Sequence, residues 1–324
     1  MDSIVFGDCR DIMRQWAKDG VKAQTCVTSP PYYGLRDYGH DGQIGLEETP
    51  DDYIKAMVEV FKCVWDVLED DGTLWLNIGD SYSSHKDCKS TPQSFAKGTA
   101  KEAAPVMDKG KSRIRDSKML KSQGLKNKDL IGIPWMLAFA LRADGWYLRQ
   151  DIIWHKPNPM PESVKDRCTK AHEYIFLFSK KPQYFFDSEG IKEDALTAPA
   201  KRNKAKEGYQ ADYAKGARFS DGERTYGADG KRNKRDVWSV PVRAYKGAHF
   251  ATFPPPLIEP CILAGSRVND IVLDPFMGSG TTAMVAKQHG RRYIGCELNE
   301  DYRELQDKRL GVETKKDLFN NAIT

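Results

Sequence analysis

Short apolar runs alternate along the chain with segments of helical periodicity. Seven runs have the length and the β-branched or aromatic content of strands: Ser3–Phe6, Gln24–Thr28, Thr73–Ile78, Tyr147–Trp154, Tyr174–Phe178, Ile271–Leu273 and Tyr293–Cys296. Several are continuously apolar, which is typical of strands covered on both faces. Apolar residues at three- and four-residue spacing predict helices over Pro50–Leu68, Leu130–Arg142, Pro256–Ala264, Thr281–Gln288 and Glu300–Arg309. This alternation predicts an α/β fold, with a mostly parallel sheet and helices on both faces.

The net charge of +4 is unevenly distributed over the 324 residues. Residues 85–128 carry +8 and residues 195–246 carry +7, so the remaining chain carries −11. Both basic segments are poor in aliphatic residues and lack periodicity, which predicts long loop insertions. They are either solvated linkers or polyanion-binding surfaces. Aromatic residues favour the second interpretation for the later segment: Tyr209, Tyr213, Phe219, Tyr226, Trp238 and Tyr245.

Cysteine, histidine and hydropathy patterns exclude several classes of protein. The seven cysteines include no CxxC pair, and the six histidines form no HExxH pattern, so neither a disulfide framework nor a bound metal is expected. The first residues do not resemble a secretion signal, and no apolar run approaches the ~20 residues of a membrane span. We therefore expect a cytoplasmic protein.

A glycine-rich motif follows one predicted strand directly. Asp274-Pro-Phe-Met-Gly-Ser-Gly-Thr-Thr282 joins that strand to a helix, and Gly278 and Gly280 permit a sharp turn with close approach of a ligand. A second acid, Glu297, ends the next strand about 20 residues later, a spacing that suits recognition of ribose hydroxyls. The alternative is an ordinary strand-to-helix turn with a capping acid.

A proline-rich motif, Thr28-Ser-Pro-Pro-Tyr32, follows another predicted strand. The two prolines fix the backbone and leave neighbouring carbonyls without internal hydrogen bonds. With the Ser29 hydroxyl and the flat Tyr32 ring, these carbonyls could hold a planar amino group. Taken alone, the motif is equally consistent with a simple Pro-Pro turn.

Together, these motifs and Arg291-Arg-Tyr-Ile-Gly-Cys-Glu-Leu-Asn-Glu-Asp-Tyr302 resemble the bacterial and phage DNA amino-methyltransferases that use S-adenosylmethionine. The proline motif precedes the glycine motif, which matches the permuted order of the β class. The resemblance extends to Ile4–Asp8, Asp151–Pro159 and His249–Pro254. It implies a Rossmann-like, permuted methyltransferase fold.

The resemblance also implies roles for individual residues. Ser29, Pro30, Pro31 and Tyr32 would be catalytic: the Ser29 hydroxyl and the Pro30 carbonyl accept from the target amino group, and Tyr32 stacks on the flipped base. The cofactor S-adenosyl-L-methionine would be bound by Asp8, His249, Phe250, Asp274, Phe276, Gly278, Ser279, Gly280, Thr281 and Glu297.

Five regions follow from this order. The catalytic half of the core would span residues 1–84, and the cofactor-binding half would span residues 247–324. The core would continue over residues 129–184, which contain the base-pocket motif. A basic insertion loop would span residues 85–128, and the target-recognition region would span residues 185–246. DNA contacts are expected from Arg36, His155, Lys156, Lys201, Arg202, Lys204, Arg218, Lys231, Arg232, Lys234 and Arg235. For His155 and Lys156 an ordinary surface role is the alternative.

The expected function is site-specific methylation of adenine N6 or cytosine N4 in double-stranded DNA, with base flipping and direct transfer. The choice of base stays open, because both present the same two amino hydrogens. Alternatives are an RNA or protein-amide methyltransferase and a catalytically silent DNA-binding relative. Cys261 follows a proline, as does the nucleophile of cytosine C5 methyltransferases, but it lies in a predicted helix and is expected to be a packing residue. Expected partners are DNA in the nucleoid, a second copy of the chain and a cognate restriction endonuclease.

Overall fold

The computed structural model describes residues 2–35, 42–83, 124–195, 230–242 and 253–312. The strands within these ranges are β1 (Ser3–Phe6), β2 (Ala23–Thr28), β3 (Leu68–Ile78), β4 (Tyr147–His155), β5 (His172–Ser179), β6 (Glu193–Asp194), β7 (Lys231–Arg232), β8 (Val237–Ser239), β9 (Ile271–Asp274) and β10 (Arg292–Glu297). Eight form one sheet in the order β1-β10-β9-β2-β3-β5-β4-β8. Only β5 runs antiparallel to its neighbours in this sheet, so the predicted mostly parallel sheet is confirmed.

The helices within the same described ranges are α1 (Cys9–Lys18), α2 (Pro50–Val67), α3 (Ile133–Ala143), α4 (Pro255–Gly265), α5 (Thr281–Gln288) and α6 (Arg303–Leu310), the last preceded by a 3-10 turn over Glu300–Tyr302. The sequence pattern predicts five of the six. It misses α1, although its three buried residues, Cys9, Met13 and Trp16, are spaced four and three apart. Helix α3 begins three residues later than predicted, because Gly132 adopts a positive φ of 87° at its N-cap.

The helices cover both faces of the large sheet, and each face has its own apolar core. Side chains of α1, α2 and α3 form one core with Leu74, Leu76, Phe176 and Phe178. Side chains of α4 and α5 form the other with residues from the opposite side of the same strands, including Trp75 and Leu177. Burial on both faces explains the continuous apolar runs of β2, β3 and β5.

The direction of the strands brings several loops together. Parallel strands β1, β10, β9, β2 and β3 all have their carboxyl ends at one edge of the sheet, and the antiparallel β5 begins there. Ligands of open α/β sheets bind at this edge. No helix among the described residues is long and apolar enough to cross a membrane.

Candidate active site

The proline motif and the glycine motif meet at the carboxyl edge of the sheet. Strand β2 ends at Thr28 and pairs with β9, which ends at Asp274. The Thr28 hydroxyl donates to Asp274 Oδ1 at 2.6 Å. This bond joins the residues that immediately precede two loops, the proline loop over residues 29–32 and the glycine loop over residues 275–280, although 246 positions separate the two bonded residues.

The Asp274 carboxylate organises both loops from beneath. It is 1% exposed and also accepts from the Thr282 hydroxyl at 2.6 Å and from the Phe276 N–H at 3.0 Å. Burial raises the pKa of Asp274 to about 6, although the hydrogen bonds from Thr28, Thr282 and Phe276 act to lower it. The Asp274 side chain thus has three partners within the protein, and its contact with the cofactor stays a prediction.

The glycine loop is held by hydrogen bonds to Glu297, at the end of β10, and to residues of α6. Gly278 and Gly280 have φ values of 53° and 80°, which favour glycine. The Gly278 N–H donates to Glu297 Oε2 at 2.7 Å, and its carbonyl accepts from Gln306 Nε2 at 2.6 Å. Arg309 of α6 donates to Ser279 Oγ at 2.9 Å and to Thr281 Oγ1 at 2.5 Å. The loop therefore has a fixed conformation that depends on the last helix.

The predicted cofactor residues fall into two groups. Phe276, Gly278 and Glu297 are partly exposed at the sheet edge, whereas Ser279, Gly280 and Thr281 are buried. Among the described residues, a Cβ added at Gly278 would meet only the Phe276 carbonyl oxygen, at 3.9 Å, so these residues leave space at this position. The hydroxyls of Ser279 and Thr281 contact Arg309, so their side chains brace the loop.

Asp8 follows β1 at the same edge and caps α1 by accepting from the Arg10 N–H at 2.8 Å. The Arg10 guanidinium also donates to both carboxylate oxygens, and this pairing lowers the pKa of Asp8. Asp8 is thus ionised and partly exposed near the end of β10. His249 and Phe250, the remaining predicted cofactor residues, lie outside the described residues.

The proline loop is rigid and partly open. Ser29 and Tyr32 are half-buried, and the Pro31 carbonyl accepts from the Tyr53 hydroxyl at 2.9 Å. No donor within the described ranges reaches the Pro30 carbonyl. Among the described residues, Ser29 Oγ and Pro30 O therefore keep acceptor capacity at the loop.

Tyr32 belongs to a hydrogen-bonded cluster that the sequence motifs do not reveal. Its hydroxyl contacts Glu173 Oε2 at 2.8 Å, Asn77 Oδ1 at 3.2 Å and Ser29 Oγ at 3.3 Å. Burial, and then the charge of Glu173, raise the pKa of Tyr32 well above its ordinary value. Gly79 makes room for this arrangement, because a Cβ there would lie 2.7 Å from Tyr32 Cε2.

The DNA-contact candidates have varied surroundings. Lys156 is 18% exposed, forms an ion pair with Glu173 and lies over the Trp154 ring, so it is part of the site. His155 is exposed beside Ser239. Arg232 and Arg235 both pair with Glu193, and Lys234 lies over the Trp238 ring. Lys231 is exposed. Five further candidates lie outside the described residues: Arg36, Lys201, Arg202, Lys204 and Arg218.

Cys261 is a packing residue, as predicted. It is fully buried within α4, and its thiol contacts the Leu257 carbonyl oxygen at 3.8 Å. Burial raises the pKa of Cys261, which disfavours the thiolate that a nucleophile would need.

Comparisons with known proteins identify the family of the chain. A family model described as "DNA methylase" matches residues 23–308. The chain is similar to the type II methyltransferase M.SmaI of Serratia marcescens, with 45% identity over 95% of this chain and 90% of that protein. It is also similar to the type II methyltransferase M.Cfr9I of Citrobacter freundii, with 43% identity over 95% and 87%.

Solved structures share the fold. The PvuII DNA methyltransferase, whose structure is titled cytosine-N4-specific, gives a TM-score of 0.61 at 17% identity, covering 99% of this chain and 91% of that one. TTHA0409 of Thermus thermophilus, titled a putative DNA modification methylase complexed with S-adenosyl-L-methionine, gives 0.56 at 21% identity, covering 96% and 93%.

The raised pKa of Asp274 predicts a specific pH dependence of stability. Between 3.8 and about 6 the folded protein keeps a proton that the unfolded chain has released, so this group's contribution to stability falls as the pH rises through that window. The difference in unfolding free energy between wild type and Asp274→Asn should fall by about 2 kcal/mol from pH 4 to pH 7.

Urea unfolding of both proteins across that range measures this difference. Asp144→Asn, at an exposed position, is the matched control and should follow the wild-type profile. A difference between wild type and Asp274→Asn that stays constant with pH would contradict the assignment.

Proposed function

The chain belongs to the DNA methylase family, and from this premise we propose that it transfers a methyl group from S-adenosylmethionine to adenine N6 or cytosine N4 in a short sequence of double-stranded DNA. The observation that carries the proposal is the hydrogen bond between Thr28 and Asp274, because it holds an amino-accepting loop against a cofactor-type loop. A methyl donor and a base bound at these two loops would be neighbours.

The cofactor loop has groups that suit this ligand. Glu297 accepts from the Gly278 and Asn299 N–H groups at the partly exposed sheet edge, and its carboxylate is the type of acceptor that suits ribose hydroxyls. Phe276 offers a partly exposed ring, and the described residues leave space at Gly278. When bound, S-adenosylmethionine supplies a methyl group on a sulfonium, which is a good leaving group.

The proline loop would activate the target nitrogen. The lone pair of an exocyclic amino group is conjugated into the base and is a weak nucleophile. Ser29 Oγ and Pro30 O would accept its two hydrogens and draw the nitrogen toward tetrahedral geometry. A base inside a duplex cannot reach these atoms, so the target must flip out, and Tyr32 would support it. Direct transfer then requires positioning and no covalent enzyme intermediate.

Incubation with methyl-labelled S-adenosylmethionine tests this function. DNA from a methylation-free host is digested to nucleosides after the reaction, and RNA and bulk protein serve as competing acceptors. We expect label in N6-methyladenine or N4-methylcytosine, and about a hundredfold slower transfer by Ser29→Ala, by analogy with removal of one preorganised hydrogen-bonding group elsewhere. Label on cytosine C5, on RNA or on protein would contradict the proposal. It would also be contradicted if the chain bound DNA without S-adenosylmethionine and transferred no methyl group.

Loss of the Glu297 carboxylate should weaken cofactor binding selectively. Glu297→Ala removes the acceptor for Gly278 and the proposed ribose contacts, so calorimetry should show affinity for S-adenosylmethionine reduced about a hundredfold, as expected for hydrogen bonds to a charged group. DNA affinity should persist. Glu300→Ala, at an exposed position of the following turn, is the control. Wild-type cofactor affinity in Glu297→Ala would refute the role.

The basic, aromatic region over residues 185–246 is proposed to recognise DNA, with the insertion over 85–128 as a further contacting loop. Support comes from the charge of these segments and from β8, the edge strand that pairs with β4 and directly follows the basic stretch 231–235. Phosphate contacts there would provide the salt-dependent part of the affinity.

Lys231 and Lys234 allow a test of this surface. Replacing both with alanine should reduce the slope of log affinity against log salt concentration by about 2, since each lysine is proposed to neutralise one phosphate. Lys18→Ala combined with Lys62→Ala removes the same charge from exposed positions of α1 and α2 and should leave the slope unchanged. Equal slopes for the two double variants would exclude residues 231–234 from the DNA-binding surface.

The related type II methyltransferases support two further proposals about partners. A cognate restriction endonuclease would recognise the same sequence. A homodimer would suit a palindromic site, since the symmetry of a protein dimer matches that of such a sequence. Both would be found together with DNA in the nucleoid.

A further inference from the structure

Ser29, Tyr32 and Glu173 form a chain of hydrogen bonds that runs inward from the proline loop. Ser29 Oγ lies 3.3 Å from the Tyr32 hydroxyl, and that hydroxyl lies 2.8 Å from Glu173 Oε2. The other carboxylate oxygen of Glu173 is bound by the Lys156 ammonium. Glu173 is 15% exposed by side chain, so this chain ends inside the protein.

The chemistry of the three groups fixes the direction of each bond. A carboxylate can only accept, so the single Tyr32 hydrogen is donated to Glu173. Asn77 reinforces this direction: its amide nitrogen donates to the Tyr174 carbonyl at 3.1 Å, which leaves its oxygen facing the Tyr32 hydroxyl. With its own hydrogen committed, the Tyr32 oxygen is left to accept from Ser29.

We propose that Glu173 is a positioning residue that sets the polarity of this chain, so that Ser29 presents a lone pair rather than a hydrogen to the target base. The inference rests on the proposed function, because only an amino group needs an acceptor here. The raised pKa of Tyr32 supports it, since the phenol stays protonated and remains a donor. Lys156 serves this role by pairing with Glu173.

The polarity also provides a route for the proton that the methylated nitrogen must lose. As the new carbon–nitrogen bond forms and the carbon–sulfur bond breaks, the amino nitrogen can release a proton to Ser29 Oγ. Ser29 then gives its hydrogen to Tyr32, and Tyr32 gives its hydrogen to Glu173. Ser29 and Tyr32 each gain and lose one proton, and the carboxylate becomes a carboxylic acid that later releases the proton to solvent.

Glu173→Gln tests the polarity directly. The glutamine amide can donate to Tyr32, which allows Tyr32 to donate to Ser29 and Ser29 to donate to the base. The variant should discriminate less against a carbonyl in place of the target amino group. The probes are duplexes of the recognition sequence with the normal target base, or with uracil replacing cytosine or hypoxanthine replacing adenine.

The measured quantity is the ratio of Kd for the carbonyl duplex to Kd for the amino duplex. This ratio is compared between each variant and the wild type, because the free energy of flipping each base is the same for all the proteins and cancels. We expect this ratio to fall at least tenfold in Glu173→Gln, with at least tenfold slower single-turnover methylation and unchanged cofactor affinity. Tyr32→Phe, which interrupts the chain without altering charge, should also lower the ratio and serves if the glutamine variant does not fold.

Glu162→Gln is the matched control, because Glu162 pairs with Arg167 at 2.6 Å and lies outside this chain of hydrogen bonds. It should keep the wild-type ratio and rate. An unchanged ratio in both Glu173→Gln and Tyr32→Phe would overturn the inference, even with slower methylation, because the slower rate would then reflect packing alone. Failure of the proposed function is distinguishable, since the wild type would then methylate no DNA.

Discussion

The buried carboxylate of Asp274 is the interaction on which the site depends. It ends β9 and accepts from Thr28 at the end of β2, from Thr282 at the start of α5 and from the Phe276 backbone. Burial opposes its ionisation, and three donors offset only part of that cost, so its pKa remains raised. One group therefore fixes the distance between the loop that accepts an amino group and the loop suited to a methyl donor.

The remaining parts of the site are supported from two sides. Helix α6 holds the glycine loop through Gln306 and Arg309. Glu173, at the start of β5, holds the proline loop through Tyr32. Both supports come from chain segments outside the motifs, and both act on side chains or carbonyls that would otherwise be free to turn. This arrangement preorganises the site, as methyl transfer by positioning requires.

Much of the fold could be predicted from the sequence, since strands buried on both faces carry continuous apolar runs. The sequence pattern does not predict helix α1, because only three of its ten residues are buried and the other seven obscure their helical spacing. The motifs located the site, but they could not show which way side chains turn. The hydroxyls of Ser279 and Thr281, for example, contact Arg309, which the motifs do not reveal, and cofactor binding by these two residues stays a prediction. Glu173 was missed because only the antiparallel direction of β5 brings its first residues to the active edge.

Thr28→Val tests the coupling of the two loops most directly. The variant removes the hydrogen bond to Asp274 and leaves the contacts of Thr282 and Phe276 with that carboxylate in place. We predict at least tenfold slower single-turnover methylation with affinity for S-adenosylmethionine changed less than threefold. Thr25→Val, on the same strand but bonded to Thr73, is the control. Wild-type methylation by Thr28→Val, or a loss of cofactor affinity as large as the loss of rate, would contradict this account.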